Sequence, residues 1–340
     1  MRKNMIIFLT VLLLLCNAGC SLLNTTSESG LPLQVGLLTD GGSVENGGMN
    51  QLVWTHFQKL KNEIPGFEAH YKVPGQDGSY SECAAVLAER GCMLIVCVDG
   101  TMADTIETVA GENPNCKFLV LDCEAVNASN AISVQFSLHE AVYLAGYAAA
   151  KTSISERVGC IHSRMTEDTE HLVVSFMAGA RAANSDITIL RRNVMTQRDQ
   201  GRLAAEEMVA NGVDVIFHAD GNADSPVIQV CEENGIWAVD ANDEPGYENP
   251  DCVLALAEKL VDSALRQLID EMIAGELKTG SRVFDFSNDG VLLTTKEDII
   301  PEKTLTSIKN VQEKLAAGEL SIPTTFEELY EKYPDLAENQ

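Results

Sequence analysis

Short apolar runs alternate with longer amphipathic stretches along most of the chain, and the cycle is run through twice. LQVGLLT (33–39), FEAHYKV (67–73), MLIVCV (93–98), KFLVLD (117–122) and ISVQF (132–136) are short, apolar and bounded by Gly, Pro, Asn or Asp, as buried strands are. Val53, Phe57 and Leu60 fall at helical spacing within 50–62, and the Ala-rich stretch 81–90 reads as a second helix. Strand and helix alternating at this rhythm require a parallel sheet with helices on both faces, because parallel neighbours must be joined by a crossover.

The pattern then restarts: helix 140–151, strand 157–162, helix 172–183, strand 187–193, helix 200–211, strand 213–219, helix 225–234 and strand 236–241. Two α/β lobes in series are expected. Open α/β sheets collect ligand groups at the carboxyl ends of their strands, and the same kind of residue recurs there. Asp40 follows the first strand, Asp99 and Gly100 the third, Asp122 the fourth, Asp220 and Gly221 a strand of the second lobe, and Asp240 the last. Each alone reads as a helix cap or turn residue. Together they suggest an acidic cleft between two lobes, suited to a ligand presenting several hydroxyl or amine donors, such as a sugar or nucleoside.

The amino terminus sets the compartment. Arg2 and Lys3 precede an apolar run over 5–15, and Asn17-Ala18-Gly19 lead into Cys20, the pattern of a signal peptide (1–20) cleaved at a lipid-modified cysteine. The run is too short to span a hydrocarbon core, which takes about 20 helical residues. Asn17 departs from the Leu usual three residues before such a cysteine, so an ordinary cleaved secretory peptide is the alternative. Residues 21–32 are small and polar at first and read as a flexible spacer. The expected location is the extracytoplasmic face of the cell membrane, reached through a lipid anchor on Cys20.

The formal net charge of -26, with no Lys/Arg cluster to offset it, excludes nucleic acid as a partner. Ten cysteines in an exported chain first suggest disulfides. However, Cys92, Cys97, Cys123 and Cys160 lie in or beside apolar runs, where a thiol behaves as a small hydrophobe. Cys92 and Cys97 read as part of one strand, facing opposite ways, so free core thiols are expected. The six histidines show no metal-ligand spacing, and no Ser/His/Asp signature or phosphate-cradling glycine loop occurs. The expectation is a binding protein, not an enzyme, with no cofactor and no metal.

At TDGGSVENGGMNQLVW (39–54) the chain resembles the basic membrane protein family, the PnrA-like nucleoside-binding lipoproteins that serve ABC importers. Asp40-Gly41 and Asn50-Gln51 match the family pattern, Glu45-Asn46 stand at its acidic pair, and Gly48-Met49 stand where it has Ser-Phe. The resemblance continues through 140–150, Phe176 to Ala180, Gly212 to Phe217, Ala238 to Asp240, Lys259 and Ala317 to Glu319. It implies a type I periplasmic-binding-protein fold, each lobe a parallel sheet flanked by helices, with ligand held between the lobes. It also implies a small-molecule ligand, with a nucleoside expected, and an ABC permease as partner; a ligand-sensing lipoprotein with a regulatory role is the alternative. The ligand-binding positions implied are Asp40, Asn46, Met49, Asn50, Asp122, Met195, Gly221, Asp240 and Lys259. Met49 and Met195 stand where the family clamps the base with aromatic rings, which weakens the case for a purine nucleoside.

With that fold, lobe one is expected over 33–135 and 252–282, and lobe two over 136–251 and 283–300, with a strand at 283–295. The tail, 301–340, carries a helix at 304–317 and an acidic, aromatic-bearing end for which the residues suggest no role.

Overall fold

The structure, a computed structural model, describes residues 32–45, 47–162, 165–194, 198–219, 225–241 and 250–337. In the first lobe β1 (Leu33–Leu38), α1 (Gly48–Glu63), β2 (Phe67–Lys72), α2 (Tyr80–Glu89), β3 (Leu94–Cys97), α3 (Ala103–Glu112), β4 (Lys117–Leu121) and β5 (Ala131–Phe136) follow in order. The chain then crosses to the second lobe: α4 (Leu138–Thr152), β6 (Arg157–His162), α5 (Glu167–Ala183), β7 (Thr188–Asn193), α6 (Arg198–Ala210), β8 (Val215–His218), α7 (Pro226–Asn234), β9 (Trp237–Ala241) and β10 (Val253–Lys259). It returns for α8 (Val261–Ile273) and β11 (Gly280–Phe284), and crosses a third time to β12 (Val291–Thr295), α9 (Glu302–Ala316) and α10 (Phe326–Lys332).

The sheets have matching strand orders, β11-β5-β4-β3-β1-β2 and β12-β10-β9-β8-β6-β7. Every pairing is parallel except that of β12 with β10. Strands such as Leu94–Cys97 are buried along their whole length, as helices on both faces require. α8 closes one core through Val261, Ala264, Leu265 and Leu268, while α4 and α5 fill the other.

The expected boundary at 252 is corrected. β10 pairs with β9 and β12 in the second sheet, so the chain re-enters lobe one at Leu260, eight residues later than the 252 expected from sequence. The expected strand over 283–295 is two strands, since β11 joins β5 in the first sheet and β12 joins β10 in the second. Cys92 lies before β3 rather than on it. Eight cysteines among the described residues are buried, and no helix among those residues is long and apolar enough to cross a membrane.

The carboxyl-terminal segment is a structural cover for lobe two. Leu315, Leu329 and Leu336 join the core around α4 and α5. The Phe326 amide donates to Glu170 at 2.9 Å, and the Arg191 guanidinium lies 4.4 Å from the Phe326 ring centroid.

α4 and α5 approach so closely that each needs a glycine at the crossing. A methyl group at Gly179 would overlap the Tyr143 carbonyl, and one at Gly146 the Phe176 carbonyl. Both obstacles are backbone, which a rotamer change cannot clear. Gly179→Ala is therefore expected to destabilise the protein by about 1–3 kcal/mol, as overpacking of a filled core does. Urea unfolding checks this; a midpoint equal to the parent's would contradict the close crossing.

Candidate functional site

Because the strands run parallel, the carboxyl edges of both sheets carry the loops between strand and helix. On lobe one, β1 ends in a buried Thr39 and the turn Asp40-Gly41-Gly42. Asp40 Oδ1 accepts from the Gly42 amide and from Asn50 Nδ2, both at 2.8 Å. A side chain at Gly42 would press on both groups, its Cβ 2.8 Å from Asn50 Nδ2 and 2.9 Å from Asp40 Oδ1. Asn50 is buried in the first turn of α1, and its Oδ1 has no hydrogen-bond partner among the described residues. It holds Asp40 in place while Asp40 itself stays exposed. Met49, the neighbouring position, is half-buried and packs on the lobe-one core.

At the end of β3, Asp99 accepts from the Thr101 amide at 2.7 Å and caps a short helical turn. Gly100 in that turn leaves no room for a Cβ, because the Asp122 carbonyl occupies the place. Asp122, after β4, has φ 49°, a left-handed conformation that non-glycine residues adopt at a cost. This packing aims its carboxylate across the gap, where Oδ2 meets Lys259 Nζ at 2.8 Å. Lys259 ends β10, the last strand of lobe two before the chain returns, so the ion pair joins the lobes at their hinge. A part-exposed pair of this kind contributes about 0–1 kcal/mol; its weight lies in relating the two edges.

On lobe two, β8 lies between β6 and β9, and His218 pairs in register with Ile161 on one side and Asp240 on the other. His162 and Asp240 have no exposed surface. The Ala241 amide donates to Asp240 Oδ1 at 3.0 Å. Of the positions expected from sequence, Asp40, Met49 and Asn50 share one edge, Asp122 and Lys259 touch, and Asp240 stands on the opposite lobe. Asn46, Met195, Gly221 and Cys20 lie outside the described residues.

Beside the Asp122–Lys259 pair opens a cavity of about 540 Å³ lined also by Glu124, Ser137, Thr166, Glu167, Asp168 and two histidines, His139 and His171. The histidines show no metal-ligand spacing in the sequence, where these two stand 32 residues apart; the crossover into α4 and the start of α5 bring their ring centroids to 6.2 Å. Burial, reinforced by the neighbouring His171 and opposed by Asp285, pushes His139 down to about 4. Among the described residues no cluster of His, Cys, Asp and Glu could hold a metal ion. Carboxylates from both lobes and one ammonium group can accept from, and donate to, a polar ligand in the gap.

Comparison with known proteins agrees with this architecture. The family model for the ABC transporter substrate-binding protein PnrA-like family, Bmp, matches residues 33–325. Basic membrane protein A2 of Borrelia garinii subsp. bavariensis is 26% identical, with 97% of each chain covered. The ABC transporter nucleoside-binding protein BmpA of Lactococcus lactis subsp. cremoris is 22% identical, with 90% of this chain and 94% of the relative covered. An ABC transporter solute-binding protein from Aeropyrum pernix K1 superposes with a TM-score of 0.68 at 18% identity, covering 91% of this chain and 98% of that one.

The His139 environment predicts a pH response. Its folded-state value lies below the ordinary 6.5, so between about 6.5 and 4 the unfolded chain binds a proton that the folded chain refuses. The stability this neutral imidazole provides is present above pH 6.5 and is lost as pH falls toward 4. Melting temperature should fall as pH is lowered from about 6.5 to 4, and the fall should flatten in His139→Gln; an unchanged dependence would contradict the assignment.

Two lobes with parallel sheets, facing carboxyl edges and a match over nearly the whole described chain lead to one conclusion: the chain belongs to the PnrA-like Bmp family of ABC transporter substrate-binding proteins.

Proposed function

We propose that this protein captures a nucleoside between its lobes and delivers it to the permease of an ABC importer, held by acyl chains on Cys20 at the outer face of the cytoplasmic membrane. The observation that carries the reading is the joined lobe edge, where Asp122 of one lobe meets Lys259 of the other within a family of substrate-binding proteins. The nucleoside is suggested by the name of the Lactococcus relative and by the chemistry of the edges. Asp40, held by Asn50, and Asp122 would accept ribose hydroxyls, and hydrogen bonds to ionised acceptors are the stronger kind. Asp240, wholly covered in this structure, would take a hydroxyl from the lobe-two side once movement of that edge uncovers it, and Lys259 would balance the carboxylates. Asn46, Met49, Met195 and Gly221 complete the proposed shell. The anchor is supported by the leader ending in Gly19-Cys20.

In this mechanism the ligand favours the closed form because only there does it touch both lobes, the differential affinity that a population shift requires. The closed surface is then what the permease recognises.

The test is thermal unfolding of the full chain in detergent against adenosine, guanosine, uridine and ribose. A ligand at 100 times its Kd should add about 2.7 kcal/mol of stability. Asp122→Ala should weaken nucleoside binding by about 1.5–3 kcal/mol, the range for a hydrogen bond to a charged group. Cooperative melting with no shift from any nucleoside would overturn the reading. The anchor is checked separately by mass spectrometry, with acyl mass expected on Cys20 and absent in Cys20→Ala.

A further inference from the structure

The edge of lobe one carries an aromatic ring, Tyr80, that packs on the core by one side and takes no part in the contacts proposed so far. β2 lies beside β1, with Lys72 in register with Leu38 and the Thr39 amide donating to the Lys72 carbonyl at 3.2 Å. The chain leaving β2 therefore starts at the ligand edge and is held there. Val73 and Pro74 are buried, the Val73 amide donates to Asp77 Oδ2 at 3.0 Å, and the Gly75 amide donates to the Gly78 carbonyl at 2.8 Å. The Pro74 carbonyl oxygen lies 3.5 Å from the Cβ position of Gly41, so this loop rests on the Asp40 turn. Ser79 then caps α2 through a reciprocal box with Glu82. Tyr80, the first helical residue, is thereby set on a rigid base beside Asp40.

Tyr80 is half-buried, one side against the lobe-one core and the rest in solvent. Among the described residues no ring stacks on it and its hydroxyl has no hydrogen-bond partner. Other aromatics near this lobe's edges are engaged: Trp54 meets Tyr71 edge-on at 4.8 Å, and Phe136 meets Phe284 at 5.8 Å. Burial, then the nearby Asp40 and Asp99 carboxylates, raise the phenol above its ordinary value.

We propose that Tyr80 is a specificity-determining residue that stacks on the base of the bound nucleoside while the adjacent carboxylates hold its hydroxyl groups. This rests on the nucleoside reading above. A rigidly mounted ring offers a π-face at little entropic cost, and base stacking on aromatic side chains tolerates different bases. The chain would thus discriminate nucleosides from free sugars more sharply than one nucleoside from another.

Calorimetric titration of the full-length protein in detergent with adenosine, guanosine, uridine and ribose tests this, comparing the parent with Tyr80→Phe and Tyr80→Leu. The phenylalanine variant should stay within about threefold of the parent, and the leucine variant should lose about tenfold or more for every nucleoside, the equivalent of one base stack. Any ribose binding should stay unchanged. Should Tyr80→Leu fail to melt cooperatively, Tyr80→Trp supplies a second readout: its fluorescence should be quenched saturably by nucleoside and not by ribose. Parent-like nucleoside affinity in folded Tyr80→Leu, or unquenched tryptophan in a variant that binds, overturns the role of Tyr80 alone. A parent that binds no nucleoside overturns the function itself and this inference with it.

Discussion

Parallel pairing is the constraint from which the site follows. A sheet whose strands all run one way has two unlike edges, and every chain exit lies on the same one. In each lobe β1 to β5, and β6 to β10, therefore send their first polar residues to a single edge. Three crossings, after β5, after β10 and after β11, tie the two sheets together. Lys259 is at once the end of a lobe-two strand and the residue before the return to lobe one. Its 2.8 Å contact with Asp122 is a consequence of that connectivity.

The edge is held in shape by contacts within lobe one. Asn50 fixes Asp40, glycine at 42 leaves room for that contact, and glycine at 100 lets the strained Asp122 backbone approach. Behind the second edge, the glycine-mediated crossing of α4 and α5 and the terminal helices α9 and α10 supply a base. Preorganisation of this kind lowers the cost of binding, because ordering is completed at folding.

Local patterns explain which elements were legible. Strands such as RVGCIH and helices such as 225–234 announce themselves by apolar runs, spacing and caps, and the structure has them within a few residues. The sheet to which VLALAEK belongs was misplaced, because a largely buried strand reads alike in either core; only its pairing with β9 and β12 decides. The terminal segment looked purposeless for a similar reason. Phe326, Leu329 and Tyr330 lie at helical spacing, but the groups that receive them, Glu170 and Arg191, stand far away in sequence. The histidine pair at the hinge escaped notice on the same ground.

By itself the sequence determined what short-range physics governs: two rounds of strand and helix, carboxylates following strands, an acidic surface and thiols that pack as hydrophobes. The tertiary structure decided what depends on distant partners: the return at Leu260, the Asp122–Lys259 bridge, the His139–His171 approach and the docking of the tail. Periodicity and capping act within a few residues of chain, whereas sheet membership and side-chain meeting are set by packing among segments that can lie from tens to more than a hundred residues apart.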